Sequence, residues 1–418
     1  MTFTLAHLSD LHLGYSSGRK RIDENGFNVR ENDGYLAYSR AVDQIIKEKV
    51  NAVLVAGDMF HSPRPKNHTV VIAQEGLRRL AEAGITVYII AGNHDATDIR
   101  AEVPSSQLLH EPGSKIYSYS DPYVVKEIHS GIFMHLVSHH AYVDQEGTMD
   151  EIKLVDGAIN ILASHGSCYD TNMGEILRTP NEPREVIIPQ SIMDMEWDYT
   201  LLGHIHERGW IGSEDGKTDT SGRKQFYNGS LLRRGFADKV SSNGRGWTKW
   251  TINEDKSIDH EMFTVPEREQ LDMKPIDVEG KTTREIELEI IEQLKSVDKY
   301  IIDKYGEITI ENTPIVRQTV VGINAITRLS LNLQRFNEYT DKYLVHNFKV
   351  FPDMEKVEVS ETVSPDTLSN NSDIVAVFNE WNKVNPDLFD FEKDLKDVIN
   401  KKAKGQLQES RDELLTKD

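Results

Sequence analysis

Cysteine is nearly missing from this 418-residue sequence: Cys168 stands alone, so no disulfide can close within the chain and a reducing compartment is expected. Long hydrophobic runs are missing too. The apolar stretches, such as Ala52–Ala56 and residues 87–91, fall far short of the ~20 residues that cross a bilayer. The opening Met1-Thr2-Phe3-Thr4-Leu5-Ala6-His7 has neither a basic start nor a sustained apolar core, so no signal peptide is expected. These absences exclude a membrane role and point to a cytoplasmic protein. Positive charge is in deficit: 48 Lys+Arg face 68 Asp+Glu, a net charge of −20. Such a balance repels nucleic acid and anionic lipid at long range. Wholesale disorder is excluded, because 38% hydrophobic residues together with 27 glycines is ordinary globular composition. The length allows two to four domains, and no internal repeat is present.

What the sequence does contain is a series of short apolar runs, each ending in a polar cluster. Phe3–Leu8 precedes Ser9-Asp10-Leu11-His12, and Ala52–Ala56 precedes Gly57-Asp58. Residues 87–91 precede Gly92-Asn93-His94-Asp95, residues 159–163 precede Ser164-His165-Gly166, and residues 199–202 precede Gly203-His204-Ile205-His206. Runs this short, rich in Val, Ile and Leu with little alternation, read as strands buried on both faces. Residues 35–49 and 69–83 carry apolar residues at helical spacing between them. Strand–helix alternation predicts an α/β layered domain, in which ligands gather at the carboxyl ends of strands.

The pattern changes after about residue 251. A polar loop at 211–224 and strands around 226–227 and 247–252 close the first domain, 1–252. Residues 271–351 read as a smaller β-α-β-α-β unit. Its first helix opens on the capping-box pair Thr282 and Glu285, and its second runs around 331–344. Residues 353–372 are poor in apolar side chains and read as a linker. The tail, 373–418, regains two amphipathic stripes, one with Phe378 and Trp381, the other with Leu388, Phe391 and Leu395.

Singly, each polar cluster is an ordinary strand-end turn or helix cap. Together the five contribute Asp10, His12, Asp58, Asn93, His165, His204 and His206. Imidazole, carboxylate and amide without thiolate suit Mn²⁺, Fe or Zn²⁺ rather than Ca²⁺. Seven such residues exceed the three or four that one hydrolytic metal takes, so two metals sharing a carboxylate are expected. The glycines before Asp58, Asn93 and His204 are expected to permit sharp turns that aim these side chains at one point.

The ordered series Asp-x-His, Gly-Asp, Gly-Asn-His-Asp, His-Gly and Gly-His-x-His resembles the calcineurin-like metallophosphoesterases. Within them the chain is similar to the SbcD-type double-strand-break repair nucleases, the meiotic-recombination nuclease family. The cues are His12-Leu13-Gly14-Tyr15, Gly57-Asp58-Met59-Phe60-His61 continuing to Arg64-Pro65, and Asn228-Gly229-Ser230 running into Arg233-Arg234. The resemblance implies an α/β fold: a layered β-sandwich metallophosphoesterase domain flanked by helices, a small α/β DNA-capping domain and a helical C-terminal tail. It implies that Asp10, His12 and His206 hold one Mn²⁺ and Asn93, His165 and His204 the other, with Asp58 bridging; Mg²⁺, Fe²⁺ or Zn²⁺ are the alternatives. His94 matches the family's catalytic histidine, Asp95 is placed to orient its ring, and His61 matches a second active-site histidine. The physical case is independent of the family. Two metals about 3.5–4 Å apart activate a water and neutralise phosphoryl oxygens, while an imidazole can protonate the leaving oxygen. His68, His139 and His140 have no family counterpart and read as surface or core histidines, and Cys168 as a small buried residue.

The acidic balance asks how such a chain holds DNA. Charges beyond ~8 Å are heavily screened in physiological salt, so local charge decides. Residues 222–250 hold seven basic side chains against the single acid Asp238, and 351–418 hold 9 basic against 16 acidic. Arg19, Lys20, Arg233, Arg234, Arg245 and Lys249 are the expected phosphate contacts, and DNA binding by the chain alone is expected to be weak and salt-dependent. The resemblance further implies a homodimer through helices of the first domain. It also implies that the tail docks on an SbcC-type SMC-like ATPase, and that the complex is nucleoid-associated. The competing readings are a phosphodiesterase or phosphatase for small molecules or proteins on the same fold, and a DNA-end tethering scaffold.

Overall fold

The computed structural model describes residues 2–352 apart from 17–21, 24–25, 97–102, 120, 144–147, 171–174, 178–183, 214, 237, 239–241, 254 and 324–343. Arg19, Lys20, the expected linker and tail, and the body of the helix expected around 331–344 lie outside the described residues. Leu344 itself opens a strand.

The chain begins with β1 (Phe3–Leu8), α1 (Val29–Glu48), β2 (Ala52–Ala56), α2 (Asn67–Glu82), β3 (Thr86–Ile90) and β4 (Ile116–Tyr119). The strands lie side by side and parallel, as the βαβ pattern requires. A second sheet follows: β5 (Tyr123–His129), β6 (Ile132–Val137) and β7 (Ile159–His165), then a short hairpin, β8 (Tyr169–Asp170) with β9 (Glu175–Ile176). The sheet resumes with β10 (Tyr199–Gly203), β11 (Gly209–Trp210) and β12 (Gln225–Tyr227). Its order is β11-β12-β10-β7-β6-β5. The chain then returns to the first sheet through β13 (Gly246–Ile252) and β14 (Ile258–Thr264), which gives the order β14-β13-β1-β2-β3-β4.

The two sheets face each other. Leu5, Leu54, Ala56 and Ile90 of the first meet Met134, Leu136, Ile161, Ala163, Leu201 and Phe226 of the second. The alternate side chains Val53, Val55, Val87 and Ile89 pack on Ala41, Val42 and Ile45 of α1 and Leu77 and Leu80 of α2. Strands buried on both faces therefore read as unbroken apolar runs because neither face meets water. A third cluster, with Leu162, Leu202, Tyr227, Ile192 and Trp197, covers the outer face of the second sheet.

Two boundaries differ from the sequence reading. α1 starts at Val29 rather than near residue 35, because Asn28 caps it, its Oδ1 accepting the N–H groups of Arg30 and Glu31. The Asn32-Asp33-Gly34 stretch looks like a turn but stays helical, and Asp33 is engaged by two arginines, the buried Arg30 and the half-buried Arg268. Arg30 Nη1 donates to Asp33 at 2.9 Å, and Arg268 grips it with two nitrogens at 2.8 Å. The first sheet also does not end at residue 252. β14 extends it, and its sequence Ile-Asp-His-Glu-Met-Phe-Thr hides the strand because the edge strand is only half-buried.

The small unit is a four-stranded sheet. β17 (Ile315–Ile323) pairs in parallel with β15 (Gln270–Asp272) and β16 (Ile276–Asp277) on one side and with β18 (Leu344–Pro352) on the other. The helix Thr283–Tyr305 covers it with Ile286, Ile290, Leu294, Val297 and Ile301. The capping box is present: Glu285 N–H donates to Thr282 Oγ1 at 3.3 Å, and Thr282 N–H donates to Glu285 Oε2 at 2.8 Å. Among the described residues no helix is long and apolar enough to cross a membrane.

Candidate metal centre

Five strand ends converge at one rim of the sandwich. Asp10 and His12 follow β1, Asp58 follows β2, Asn93, His94 and Asp95 follow β3, His165 ends β7, and His204 and His206 follow β10. Beyond their last ladder residues β1 and β2 stay zipped: Asp10 N–H donates to Gly57 O at 3.1 Å, His12 N–H to Asp58 O at 3.0 Å and Leu13 N–H to Met59 O at 3.0 Å. The backbone at these strand ends is unusual. Asp10 (φ 52°), His12 (φ 43°), Asp58 (φ 53°) and His204 (φ 104°) all lie in the left-handed region, a strain of ~1–3 kcal/mol each that only a surrounding structure can impose. Lys49, Arg184, Lys224 and Lys256 share such backbone, so it is the convergence of the Asp and His side chains, more than the strain, that marks a site.

The glycines in front of these residues serve mainly close approach. A Cβ at Gly92 would sit 2.2 Å from Asp58 Oδ1, and one at Gly203 would sit 2.0 Å from Ala56 O. Neither has a left-handed φ, so the expectation that glycine supplies turn freedom is corrected there; Gly57, with φ +84°, needs both.

All seven expected donors are buried. His12 Nε2 and His206 Nε2 are 3.1 Å apart, with Asp10 Oδ1 4.0 Å from the latter. On the other side Asn93 Oδ1 lies 2.9 Å from His165 Nε2 and 3.1 Å from His204 Nδ1. Asp58 Oδ2 stands between the groups, 3.6 Å from His12 Nε2 and 3.4 Å from His165 Nε2. Donor atoms of Asp10, His12 and His206 fall within 4.8 Å of one another, as do those of Asp10, Asp58 and His165. Asp10 therefore reaches further toward the second group than the sequence suggested.

The electrostatics of the donors divide. Burial drives His12 and His204 well below the usual imidazole range, which leaves both rings neutral, the form that ligates. Burial also raises the Asp10 carboxyl. Asp58 resists its own desolvation because His165 and His94 lie beside it, and it is held below the usual carboxylate range. His165 is desolvated too, yet the Asp58 and Asp10 carboxylates push it up to about 9. Imidazole, carboxylate and amide oxygen converging in a buried pocket fit a divalent transition cation.

Around this set, outer contacts fix the rings. His165 Nδ1 lies 2.9 Å from Ala56 O and His206 Nδ1 3.4 Å from the Asp238 carboxylate. Asp238 is a positioning residue that sequence reasoning missed. It reads as the one acid in a basic segment, and 32 residues separate it from its histidine. His94 and His61 stack with ring centroids 5.0 Å apart, and the His94 ring meets His12 edge-on at 4.6 Å. Burial, with His94 nearby, lowers His61 to about 4.

Asp95 does not orient the His94 ring as expected. Its oxygens accept the backbone N–H groups of Gly92, Met59 and Phe60 at 3.0, 3.2 and 2.9 Å, tying the β2 and β3 loops together. The His94 ring is held instead by the His61 carbonyl, 2.8 Å from Nδ1. Burial and the Asp58 charge raise the Asp95 carboxyl to about 7.

The expected DNA contacts divide. Arg245 is buried, and Nη1 donates to His206 O at 2.8 Å and Ser230 Oγ at 2.5 Å, so it braces a donor loop instead of facing a phosphate. Lys249 pairs with Glu48 at 2.9 Å. Arg233 faces Glu267 at 3.9 Å. Arg234 stands by the site, its charge acting on His12 and His61 and its carbonyl accepting from Tyr15 OH at 2.5 Å. His68 bonds Glu31 at 3.0 Å, away from the centre. His139 is buried beside the second donor group, where burial, with His165 next, lowers it to about 3; His140 is its neighbour. Cys168 is buried.

A calcineurin-like phosphoesterase model matches residues 3–208. The chain is 24% identical over 381 residues to the DNA double-strand break repair protein Mre11 of Methanocaldococcus jannaschii, across 82% of this chain and 99% of that protein. It is 24% identical over 388 residues to the Sulfolobus acidocaldarius protein of that name, 89% of each. The Methanococcus maripaludis protein is 38% identical over 106 residues, about a quarter of each chain. Together with the donor set, these likenesses make the chain a metal-dependent phosphoesterase.

Proposed function

With residues 3–208 forming a calcineurin-like phosphoesterase domain, we propose that this chain is the nuclease subunit of a DNA double-strand-break repair complex. In this reading it hydrolyses DNA phosphodiesters, as exonuclease and endonuclease, with two Mn²⁺. One is held by Asp10, His12 and His206, the other by Asn93, His165 and His204, with Asp58 between them. It acts as a homodimer with an SbcC-type SMC-like ATPase that docks on the tail and supplies most of the DNA affinity, in the cytoplasm at the nucleoid.

The observation that carries the chemistry is Asp58 Oδ2 standing 3.6 and 3.4 Å from the imidazoles of the two donor groups. What carries the substrate is that likeness to archaeal repair proteins runs well past the phosphoesterase domain, through most of the chain. Bound there, two divalent cations would lower the pKa of an attacking water and neutralise the phosphoryl oxygens. The chain's own residues do the rest. The His61 carbonyl can only accept, so His94 Nδ1 carries the hydrogen, and Nε2 is left to hold the proton that the departing oxygen needs. Asp238 and the Ala56 carbonyl keep His206 and His165 turned toward the centre.

A second reading, a phosphodiesterase for a small molecule, is favoured by one fact: Arg245 and Lys249 are already engaged within the protein. The deciding experiment is Mn²⁺-dependent hydrolysis of linear duplex DNA and of a bis-aryl phosphodiester, for wild type and His94→Ala, with and without the ATPase. Cleavage of both by wild type supports the nuclease. Diester hydrolysis with no DNA cleavage, even with the partner present, favours the small-molecule enzyme. Deleting residues 370–418 should abolish ATPase association and leave diester hydrolysis intact.

A further inference from the structure

One cation at the rim has no role in the site described so far. Arg184 donates Nε–H to the main-chain oxygen of Asn93 at 3.1 Å, so its guanidinium lies against the residue whose side chain joins His165 and His204. It is near enough to His139 for its charge to act on that ring. We propose that Arg184 is a catalytic residue that binds a phosphoryl oxygen of the scissile diester from the Asn93 side of the donor cluster. The inference rests on the phosphodiesterase reading and adds a group to it.

Three features support the placement. Arg184 has φ 51°, left-handed backbone that it shares with Asp10, His12, Asp58 and His204 at the site and with Lys49, Lys224 and Lys256 outside it. A non-glycine residue tolerates that conformation where surrounding structure imposes it, and such positions gather at functional sites. The neighbouring chain is locked. Ser167 N–H donates to Val186 O at 2.9 Å, Ile188 N–H to Ser167 O at 2.8 Å and Ser167 Oγ to Glu185 at 2.8 Å. At Gly166 a Cβ would press to 3.2 Å from Val186 O. The segment after Arg184 is thereby stapled to the turn that carries His165.

Charge placement is the third feature. Arg234 acts on the His12 and His61 side, and Arg184 stands on the Asn93 and His139 side. A diester lying over the donors would therefore meet a guanidinium from each flank. The planar five-donor guanidinium matches phosphoryl oxygen geometry, and such a donor aimed at developing charge is worth on the order of 10²-fold in rate.

The test compares the full-length wild type with Arg184→Gln and Arg184→Lys. Measured would be kcat and KM for a bis-aryl phosphodiester and for a DNA oligonucleotide, Mn²⁺ affinity by titration calorimetry, and orthophosphate affinity of the Mn²⁺-loaded protein. The expected result for Arg184→Gln is a loss of about 10²-fold in kcat/KM and weaker orthophosphate binding, with Mn²⁺ affinity unchanged and partial recovery in Arg184→Lys. Wild-type values in Arg184→Gln would overturn the proposal. So would a fall in Mn²⁺ affinity that parallels the loss of rate, because the arginine would then only support Asn93. If wild type cleaves the diester but no DNA, the nuclease reading fails while the diester and orthophosphate measurements still judge Arg184.

Discussion

His94 takes its orientation from the main chain of His61, whose carbonyl oxygen lies 2.8 Å from Nδ1. Replacing His94 with Asn should leave the donor groups in place and remove the proton source. Hydrolysis is expected to fall by about 10²–10⁴, while Mn²⁺ still binds with wild-type affinity in calorimetry. Unchanged turnover would dismiss His94 from the chemistry.

Asp238 makes a different prediction, about affinity. Its carboxylate sets the outer nitrogen of His206, and loss of such a partner typically weakens a metal site roughly 10–100-fold. Asp238→Asn should therefore bind one Mn²⁺ equivalent more weakly by about that factor and leave the other unchanged. Equal weakening of both equivalents, or of neither, would rule out a specific hold on His206.

The strands and the polar clusters at their ends were legible because burial on both faces leaves an unbroken apolar run and ligation demands particular side chains. Other features were not. Asp238 and Arg245 meet His206 only after the chain has crossed between sheets, so no local spacing betrays them. Arg245 looked like a phosphate contact because charge can be counted in a sequence and burial cannot. Asp95 sits next to His94, which suggested that it orients the ring; the fold spends its oxygens on backbone N–H groups instead. β14 escaped because a half-exposed edge strand need not be apolar.

Two glycines should respond in opposite ways to alanine. At Gly203 a Cβ would sit 2.0 Å from Ala56 O, backbone against backbone, with His165 Nδ1 at 2.9 Å. Gly203→Ala should cost several kcal/mol, at or beyond the ~1–3 kcal/mol typical of overpacking, with loss of Mn²⁺ binding. Gly34 lies inside α1 with nothing within 4 Å of its would-be Cβ. There Gly34→Ala should stabilise by about 0.5–1 kcal/mol. Thermal melts of both variants check the pair, and a neutral Gly203→Ala would refute the close-approach role.

Acid sensitivity should trace in part to Glu31. The residue is buried, and desolvation opposes its charge, but Lys66, Tyr35 and His68 donate to it at 2.8, 2.7 and 3.0 Å and bring its pKa below the ordinary value. A carboxylate depressed in the folded state stabilises the protein above its unfolded pKa of about 4.3. That contribution fades as pH falls through the folded value. Glu31→Gln should lose roughly 1–3 kcal/mol at neutral pH and show a shallower decline between about pH 5 and 3. Urea titrations at pH 7 and pH 4 measure both, and parallel stability losses at the two pH values would contradict the assignment.

β13 lies between β14 and β1, pairing Phe3 with Ile252 and His7 with Thr248. The match to the calcineurin-like phosphoesterase model ends at residue 208, yet without β13 the strand that leads to Asp10 and His12 would be left as a bare edge. Trp247 and Trp250 would also be gone from the core. The sheet thus needs strands that lie beyond the residues matched by that model. A truncation at 208 would expose unpaired backbone that other chains can join, and a fragment that keeps β1 paired on both sides must run at least through Ile252.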